Sequence, residues 1–291
     1  MKTLLCCIGR NENRYVREYV KYYKDLGFTN ICLYDNNRDG EEHFEEAIGD
    51  YISDGFVMLQ DYRNRTACQR QAYADCYNRF GKEYDWIAFF DLDEYLAFTK
   101  YADISEFLSD KRLEGFDMIH VNWMLYGDNG LVRMDSRPLT ERFTEPLPAD
   151  RRLGYKFPEN NHIKTMIRGG AVDSISWEMT PHTPAELKLR CCNPSGVEVA
   201  SDSPFAPYDH STAYLKHYSY MTAEEYAIKM RRGFPDEVWD TKRISRMVRR
   251  QFFRANEPTQ EKVDLFREML GVDMSRLLKK KSLLYRIFRH R

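Results

Sequence analysis

Apolar and polar positions along the first hundred residues switch between two periods. Leu4–Ile8 is a short, unbroken apolar run of the kind that forms a strand covered on both faces, and it ends in polar Gly9-Arg10-Asn11-Glu12. From Glu12 to Leu26, Tyr15, Val16, Tyr19, Val20, Tyr23 and Leu26 recur at helical spacing, and Gly27 supplies a stop. The cycle then repeats. A strand over Ile31–Tyr34 ends in Asp35-Asn36-Asn37, and Phe44, Ala47, Ile48, Tyr51 and Ile52 predict a helix closed by Gly55. Phe56–Leu59 reads as a strand, Thr66–Phe80 as a helix and Trp86–Phe90 as a fourth strand. Strands joined by helical crossovers predict a parallel, doubly wound α/β sheet, with ligands bound at the carboxyl ends of the strands. Arg10-Asn11, Asp35-Asn36-Asn37, Asp61 and Asp91-Leu92-Asp93 all fall at such ends.

Beyond residue 110 the rhythm changes. Phe116–Trp123 reads as a strand, residues 135–161 as a long surface loop rich in Pro, Arg and Glu, and His162–Arg168 and Val197–Ala200 as short strands. His217 ends a further short strand, and a helical pattern begins at Thr222. The organisation expected is one catalytic domain over 1–220, in halves 1–110 and 111–220, followed by a helical region over 221–291.

Composition narrows the function classes. Charged residues make up 31% of the 291 and balance to a formal −1, so no global field attracts nucleic acid. The 7 cysteines show no Cys-X-X-Cys spacing, which predicts reduced thiols in a cytoplasmic protein. The apolar stretch at Thr3–Ile8 is too short for a secretory leader or a membrane span. From Arg276 to Arg291 basic residues alternate with leucines, Tyr285, Ile287 and Phe288, without an acid. That pattern suits either a basic amphipathic helix in peripheral contact with the inner face of a membrane or a terminal helix docked on the catalytic domain.

The chemistry concentrates in Trp86-Ile87-Ala88-Phe89-Phe90-Asp91-Leu92-Asp93-Glu94-Tyr95. In an extended chain Asp91 and Asp93 share a face while Leu92 turns back to the core. Two carboxylates at the end of a buried strand repel, and a divalent cation removes that penalty; hard oxygens suit Mg²⁺ or Mn²⁺. Asp-X-Asp is common in solvated loops, so the strand-end position is what selects the metal reading.

With these ends located, the chain resembles the nucleotide-sugar-dependent glycosyltransferases of the GT-A fold, in the family 2 and family 92 group with an Asp-X-Asp-Glu-Phe/Tyr motif. The matching segments run in order through Gly9–Glu12, Tyr34–Asn37, Gln69–Tyr73, Asp85–Leu96, Trp123–Gly127, His162–Arg168, Pro181–Pro184 and His217-Tyr218. The resemblance implies a Rossmann-like, mostly parallel sheet flanked by helices, with a helical C-terminal extension. It makes 1–110 the nucleotide-sugar-binding half and 111–220 the acceptor half. Asp91 and Asp93 would hold Mn²⁺ or Mg²⁺ against the donor diphosphate, with His182 or His217 as a further ligand. Arg10, Asn11, Glu12, Asp35, Gln69, Asp91, Lys164 and Arg168 would bind the donor. An inverting transfer needs a carboxylate base; Asp128, Glu178 and Asp209 are the alternatives. The partners implied are a nucleoside-diphosphate sugar, of UDP type, and a glycan or lipid-linked saccharide acceptor. Two rivals stand beside this reading. One is a catalytically silent GT-A-like glycan-binding or assembly protein. The other is a phosphatase of the haloacid dehalogenase type, where Asp-X-Asp normally follows the first strand rather than the fourth.

Overall fold

The computed structural model describes residues 1–233 and 240–278. Met1–Met124 and Asn160–His217 form one compact unit, and Leu125–Glu159 with Tyr218–Arg291 form a second. The basic stretch at 276–291 lies, from residue 279 onward, outside the described residues.

The first unit opens with β1 (Thr3–Gly9), α1 (Asn13–Asp25), β2 (Asn30–Asp35), α2 (Phe44–Ser53), β3 (Val57–Asp61), α3 (Gln69–Phe80) and β4 (Trp86–Phe89). Each strand is an apolar run because both of its faces are covered. All four residues of β4 are buried, and α1 lays Val16, Tyr19, Val20 and Tyr23 on the core at helical spacing. Gly27 ends the first crossover at φ +90°, a left-handed turn that a side chain would strain. The unit continues with β5 (Glu94–Phe98), α4 (Ile104–Leu108), β6 (Met118–Leu125), β7 (Ile163–Arg168), β8 (Cys191–Cys192) and β9 (Ala213–His217).

The strand order is β3-β2-β1-β4-β7-β6-β9-β5, with β8 beside β6. From β3 to β4 every pairing is parallel, while β7 runs antiparallel to both β4 and β6. The result is a mixed α/β, mostly parallel sheet flanked by helices, as expected. Register aligns the carboxyl ends: Gly9 pairs with Asp35, and Asp35 with Asp61.

Two local readings need correction, and one strand is added. Glu94–Phe98, to which no element was assigned from the sequence, is a strand paired antiparallel with β9. Val197–Ala200 forms no strand. The Asn193 side-chain oxygen accepts from the amides of Ser195 and Val197 and turns the chain so tightly that only a single bridge, Cys192 to Glu198, remains. The 135–161 loop is not featureless, since it carries a short helix, α5 (Leu139–Arg142).

In the second unit α5 is followed by α6 (Ala223–Arg232), α7 (Thr241–Met247), α8 (Phe253–Ala255) and α9 (Gln260–Leu270). Helix α6 starts at a capping box in which Thr222 and Glu225 satisfy each other's backbone amides. The same Glu225 carboxylate takes both arms of the Arg142 guanidinium at 2.8 Å, with 1% of either side chain exposed.

One buried group on β6 links this fold to pH. His120 is sealed from solvent with Nε2 3.2 Å from Thr183 Oγ1, and its Nδ1 has no hydrogen-bond partner among the described residues. Burial therefore pushes its pKa down, from the ordinary 6.5 to about 4. Between those values the unfolded chain takes up a proton that the folded one refuses. The stabilising difference is complete above pH 6.5 and declines as pH falls toward 4. The urea midpoint should drop over that window by up to about 3 kcal/mol of stability, and more gently in His120→Gln. An identical slope in the variant would assign the lost stability to other groups.

Candidate functional site

The aspartates are carried by a turn. Chain β4 ends at Phe89, Phe90 N–H donates to Cys6 O at 3.2 Å, and Glu94 N–H then closes on Asp91 O at 3.0 Å. The Glu94 carboxylate accepts from Asp91 N–H at 2.9 Å, so both ends of the turn are tied. This replaces the extended geometry expected from the sequence. Leu92 still turns inward, at 5% exposure, and packs against Gly9 at the end of β1.

One oxygen of Asp91 is saturated. Its Oδ1 accepts from Gln69 Nε2 at 2.7 Å and Tyr73 OH at 2.9 Å, and Lys164 Nζ lies 2.8 Å away. Gln69 and Tyr73 sit one helical turn apart on α3, and so share a face. Lys164 comes from β7 and has no exposed surface, whereas the Asp91 side chain is 33% exposed. The ammonium is also 3.9 Å from the fully buried Glu94 carboxylate. Burial works against the charge on Asp91, but Lys164 and Tyr73 outweigh it and hold the carboxyl below its usual range. On Lys164 burial is likewise outweighed, by Asp91 and Glu94, and its pKa rises. Glu94 goes the other way: desolvation dominates and pushes it up despite Lys164.

Aromatic side chains enclose this cluster. Trp123 donates its indole N–H to Glu94 Oε1 at 2.7 Å. Its ring stacks on His162 at 4.6 Å and 15°, and tilts against His217 at 4.2 Å. His217 Nε2 stands 3.6 Å from Asp93 Oδ1, and its buried Nδ1 has no hydrogen-bond partner among the described residues. His182 Nδ1 lies 2.9 Å from Ile163 O, which fixes that nitrogen as the donor and leaves Nε2 with a lone pair. Burial, reinforced by Lys164, pushes its pKa down to about 3, so the ring is neutral. Beneath Tyr73, Trp177 packs at 5.1 Å with φ +56°, a strained conformation for a bulky residue. The strain is held by hydrogen bonds from its backbone N–H to Glu186 at 2.5 Å and from its indole N–H to Thr180 O at 2.7 Å.

At the neighbouring strand ends, Asp35 is fully buried and accepts from Asn37 N–H and Nδ2 and from Arg63 Nε, at 2.8–3.0 Å. Asn37 Oδ1 takes the Asn11 N–H at 2.7 Å. Arg10 forks onto Glu41 at 2.9 and 2.5 Å; that contact, the largest influence on the carboxyl, brings it down to about 2. Glu12 immediately precedes α1, with its carbonyl accepting from the Tyr15 and Val16 amides.

Not every residue picked from the sequence joins the site. Arg168 pairs with Trp86 at the start of β4, roughly 10 Å along the strand from Phe89. There it stacks on Trp86 and donates to Phe116 O, so it does not reach the aspartates' end. Lys164 is at the right end but sealed, facing carboxylates rather than an open phosphate site. Asp128, in the second unit, forms a buried ion pair with Lys262 and accepts from Gly130 N–H. On Asp209 burial pushes upward, but hydrogen bonds from Ser195 and Ser211 outweigh it and keep the carboxyl low. Glu178 is exposed, and its carboxylate has no partner among the described residues. Sequence reasoning gave no role to Tyr73, and left Glu94 either hydrogen-bonded at the site or paired with a Lys or Arg; it does both, through Asp91 N–H and Trp123 and 3.9 Å from Lys164. The four-residue spacing from Gln69 is the one signal that points to Tyr73.

As a metal site the cluster offers donors rather than a finished cage. Among the described residues no three His, Cys, Asp or Glu side chains converge as a preformed ion site. The chemistry nonetheless fits a hard divalent ion, with carboxylate oxygens on Asp91 and Asp93 and the Nε2 of His217 3.6 Å from Asp93 Oδ1.

The chain belongs to glycosyltransferase family 92, whose family model matches residues 2–254. A family 92 protein of Oryza sativa subsp. japonica is 24% identical over 149 residues, which is 51% of this chain and 25% of that protein. One from Arabidopsis thaliana is 26% identical over 151 residues, 48% of this chain and 26% of the relative. The chain thus spans about a quarter of these relatives' length. Among solved structures, S. aureus TarS 1-349 in complex with UDP-GlcNAc overlays 93% of this chain and 72% of its own, at TM-score 0.43 and 14% identity. GalNAc-T7 with UDP, GalNAc and Mn²⁺ overlays 44% of this chain and 23% of its own, at TM-score 0.31 and 19% identity. No helix among the described residues is long and apolar enough to cross a membrane.

The packing of Leu92 on Gly9 gives a direct test of what shapes the turn. A Cβ at position 9 would fall 2.2 Å from Leu92 Cδ1 and 3.0 Å from Phe44 Cζ. Gly9→Ala should therefore cost about 1–3 kcal/mol in urea unfolding and displace the aspartate turn. Adding Leu92→Ala should recover part of that loss.

Proposed function

We propose that this chain carries the catalytic centre of a metal-dependent glycosyltransferase. It would move a sugar from a nucleoside-diphosphate sugar, of UDP type, to a hydroxyl of a glycan or lipid-linked saccharide, with inversion at the anomeric carbon. The observation that supports it best is the Asp91–Asp93 turn. One aspartate oxygen is saturated from below by Gln69, Tyr73 and Lys164, while Asp93 stands beside His217.

In this reading Asp93, His217 and the remaining oxygen of Asp91 would hold Mn²⁺ or Mg²⁺. The ion would supply Lewis-acid neutralisation of the departing diphosphate. Gln69 and Tyr73 keep Asp91 from rotating, so its free oxygen is preorganised. Asp35, itself sealed, orients Asn37 and Arg63 at the carboxyl ends of β2 and β3, where the nucleoside would lie. Asn11 is tied to the same shelf through Asn37, and Arg10 braces the loop that carries Glu41. Of the carboxylates considered as base, Glu178 alone is exposed without a partner, and it is assigned to deprotonate the acceptor hydroxyl. A lipid-linked acceptor at the inner face of a membrane would suit the basic, leucine-bearing tail at 276–291.

The test is thermal stabilisation by nucleoside diphosphates with Mn²⁺. A ligand at one hundred times its Kd should add about 2.7 kcal/mol, and Asp93→Asn should abolish the response. No response to any nucleotide would sink the assignment. Glu178→Gln should keep the nucleotide response and lower kcat by about 10²–10⁴-fold in a sugar-transfer assay. An unchanged kcat would move the base elsewhere.

A further inference from the structure

Lys164 is more than a strand lysine that found a carboxylate. Three acids lie within four residues at Asp91, Asp93 and Glu94, and one ammonium with no exposed surface serves two of them, at 2.8 and 3.9 Å. Such a cation cannot leave when a ligand arrives, and it has no open face from which to bind phosphate. Its effect on anything approaching the turn is electrostatic, lowering the negative potential at the outer oxygens of Asp91 and Asp93. Repulsion between a buried ammonium and an incoming dication is weakly screened, because the ammonium itself has no exposed surface.

We propose that Lys164 is a built-in counter-cation that prevents the Asp91–Asp93–Glu94 turn from capturing a divalent ion by itself, so that the ion is retained only together with a diphosphate-bearing ligand. The inference rests on the metal-dependent reading above and adds an order of assembly to it. With Lys164 in place the turn supplies too little net negative charge to strip water from the ion. The ligand's phosphate oxygens supply the missing charge, and both leave together when the diphosphate departs. His217, whose Nε2 stands 3.6 Å from Asp93 Oδ1, is the nitrogen donor that such an ion would meet beside the turn.

The experiment is a titration of the full chain with Mn²⁺ alone, by calorimetry and by the electron-spin signal of free Mn²⁺, then with UDP or GDP present. Wild type should bind Mn²⁺ weakly alone and at least tenfold more tightly with nucleotide. Lys164→Met and Lys164→Gln should bind Mn²⁺ alone about tenfold or more tightly than wild type, and gain less from nucleotide. Lys262→Met, which removes the cation of the buried pair with Asp128, should leave Mn²⁺ affinity unchanged. If Lys164→Met unfolds in chelator, Lys164→Gln carries the test, because its amide can still donate to Asp91. Equal Mn²⁺ affinity in wild type and the Lys164 variants would overturn the inference while leaving the proposed function standing. Absence of Mn²⁺ binding in all of them, with or without nucleotide, would overturn the proposed function itself.

Discussion

The ion pair between Lys164 and Asp91 is the constraint around which the acidic turn is built. Removing one partner of a pair this deep leaves an uncompensated charge, typically at a cost of about 3–5 kcal/mol. The pair exists because β7 runs antiparallel beside β4, bringing Lys164 to the end where β4 gives way to the turn. Glu94 joins it from the first position of β5, and Trp123 caps Glu94 from β6. Four strands thus contribute to one charge-balanced knot. The rigidity of Asp91 follows from donors already in place rather than from anything a ligand must supply.

Much of the architecture was legible, for a physical reason. Parallel strands buried on both faces appear as uninterrupted apolar runs, and each helix between them keeps its apolar stripe at 3.6-residue spacing. The polar residues that interrupt those runs therefore mark strand ends, and Asp35, Asp61 and Asp91 could be placed without coordinates. What stayed hidden was non-local. Lys164 follows Ile163 in a strand, and nothing near it in sequence announces Asp91 or Glu94 as partners. Asp128 and Asp209 look like free carboxylates until Lys262 and Ser195 are found beside them. The strand at Glu94–Phe98 went unassigned because its partner, β9, lies more than a hundred residues away in the chain. Val197–Ala200 failed in the opposite sense: its composition suits a strand, but the Asn193 side chain folds the backbone first.

Family membership and site geometry make separate contributions. Family 92 membership extends over residues 2–254, and the curated relatives are far longer than this chain, so activity, acceptor and linkage are questions for the whole proteins. The geometry speaks to how one acidic turn is held. It also distinguishes the surroundings of two histidines that were alternatives in the sequence: His217 faces Asp93, while His182 donates to the Ile163 carbonyl and keeps a lone pair on Nε2.

Glu225 has a consequence for local motion. One carboxylate both closes the first turn of α6 and grips Arg142 at the end of α5, more than eighty residues earlier in the chain. Fraying of that helix end releases the guanidinium, and withdrawal of the guanidinium strands the charge that caps the helix. The Leu139–Arg142 segment and the start of α6 therefore open together as one cooperative element, despite their separation along the sequence.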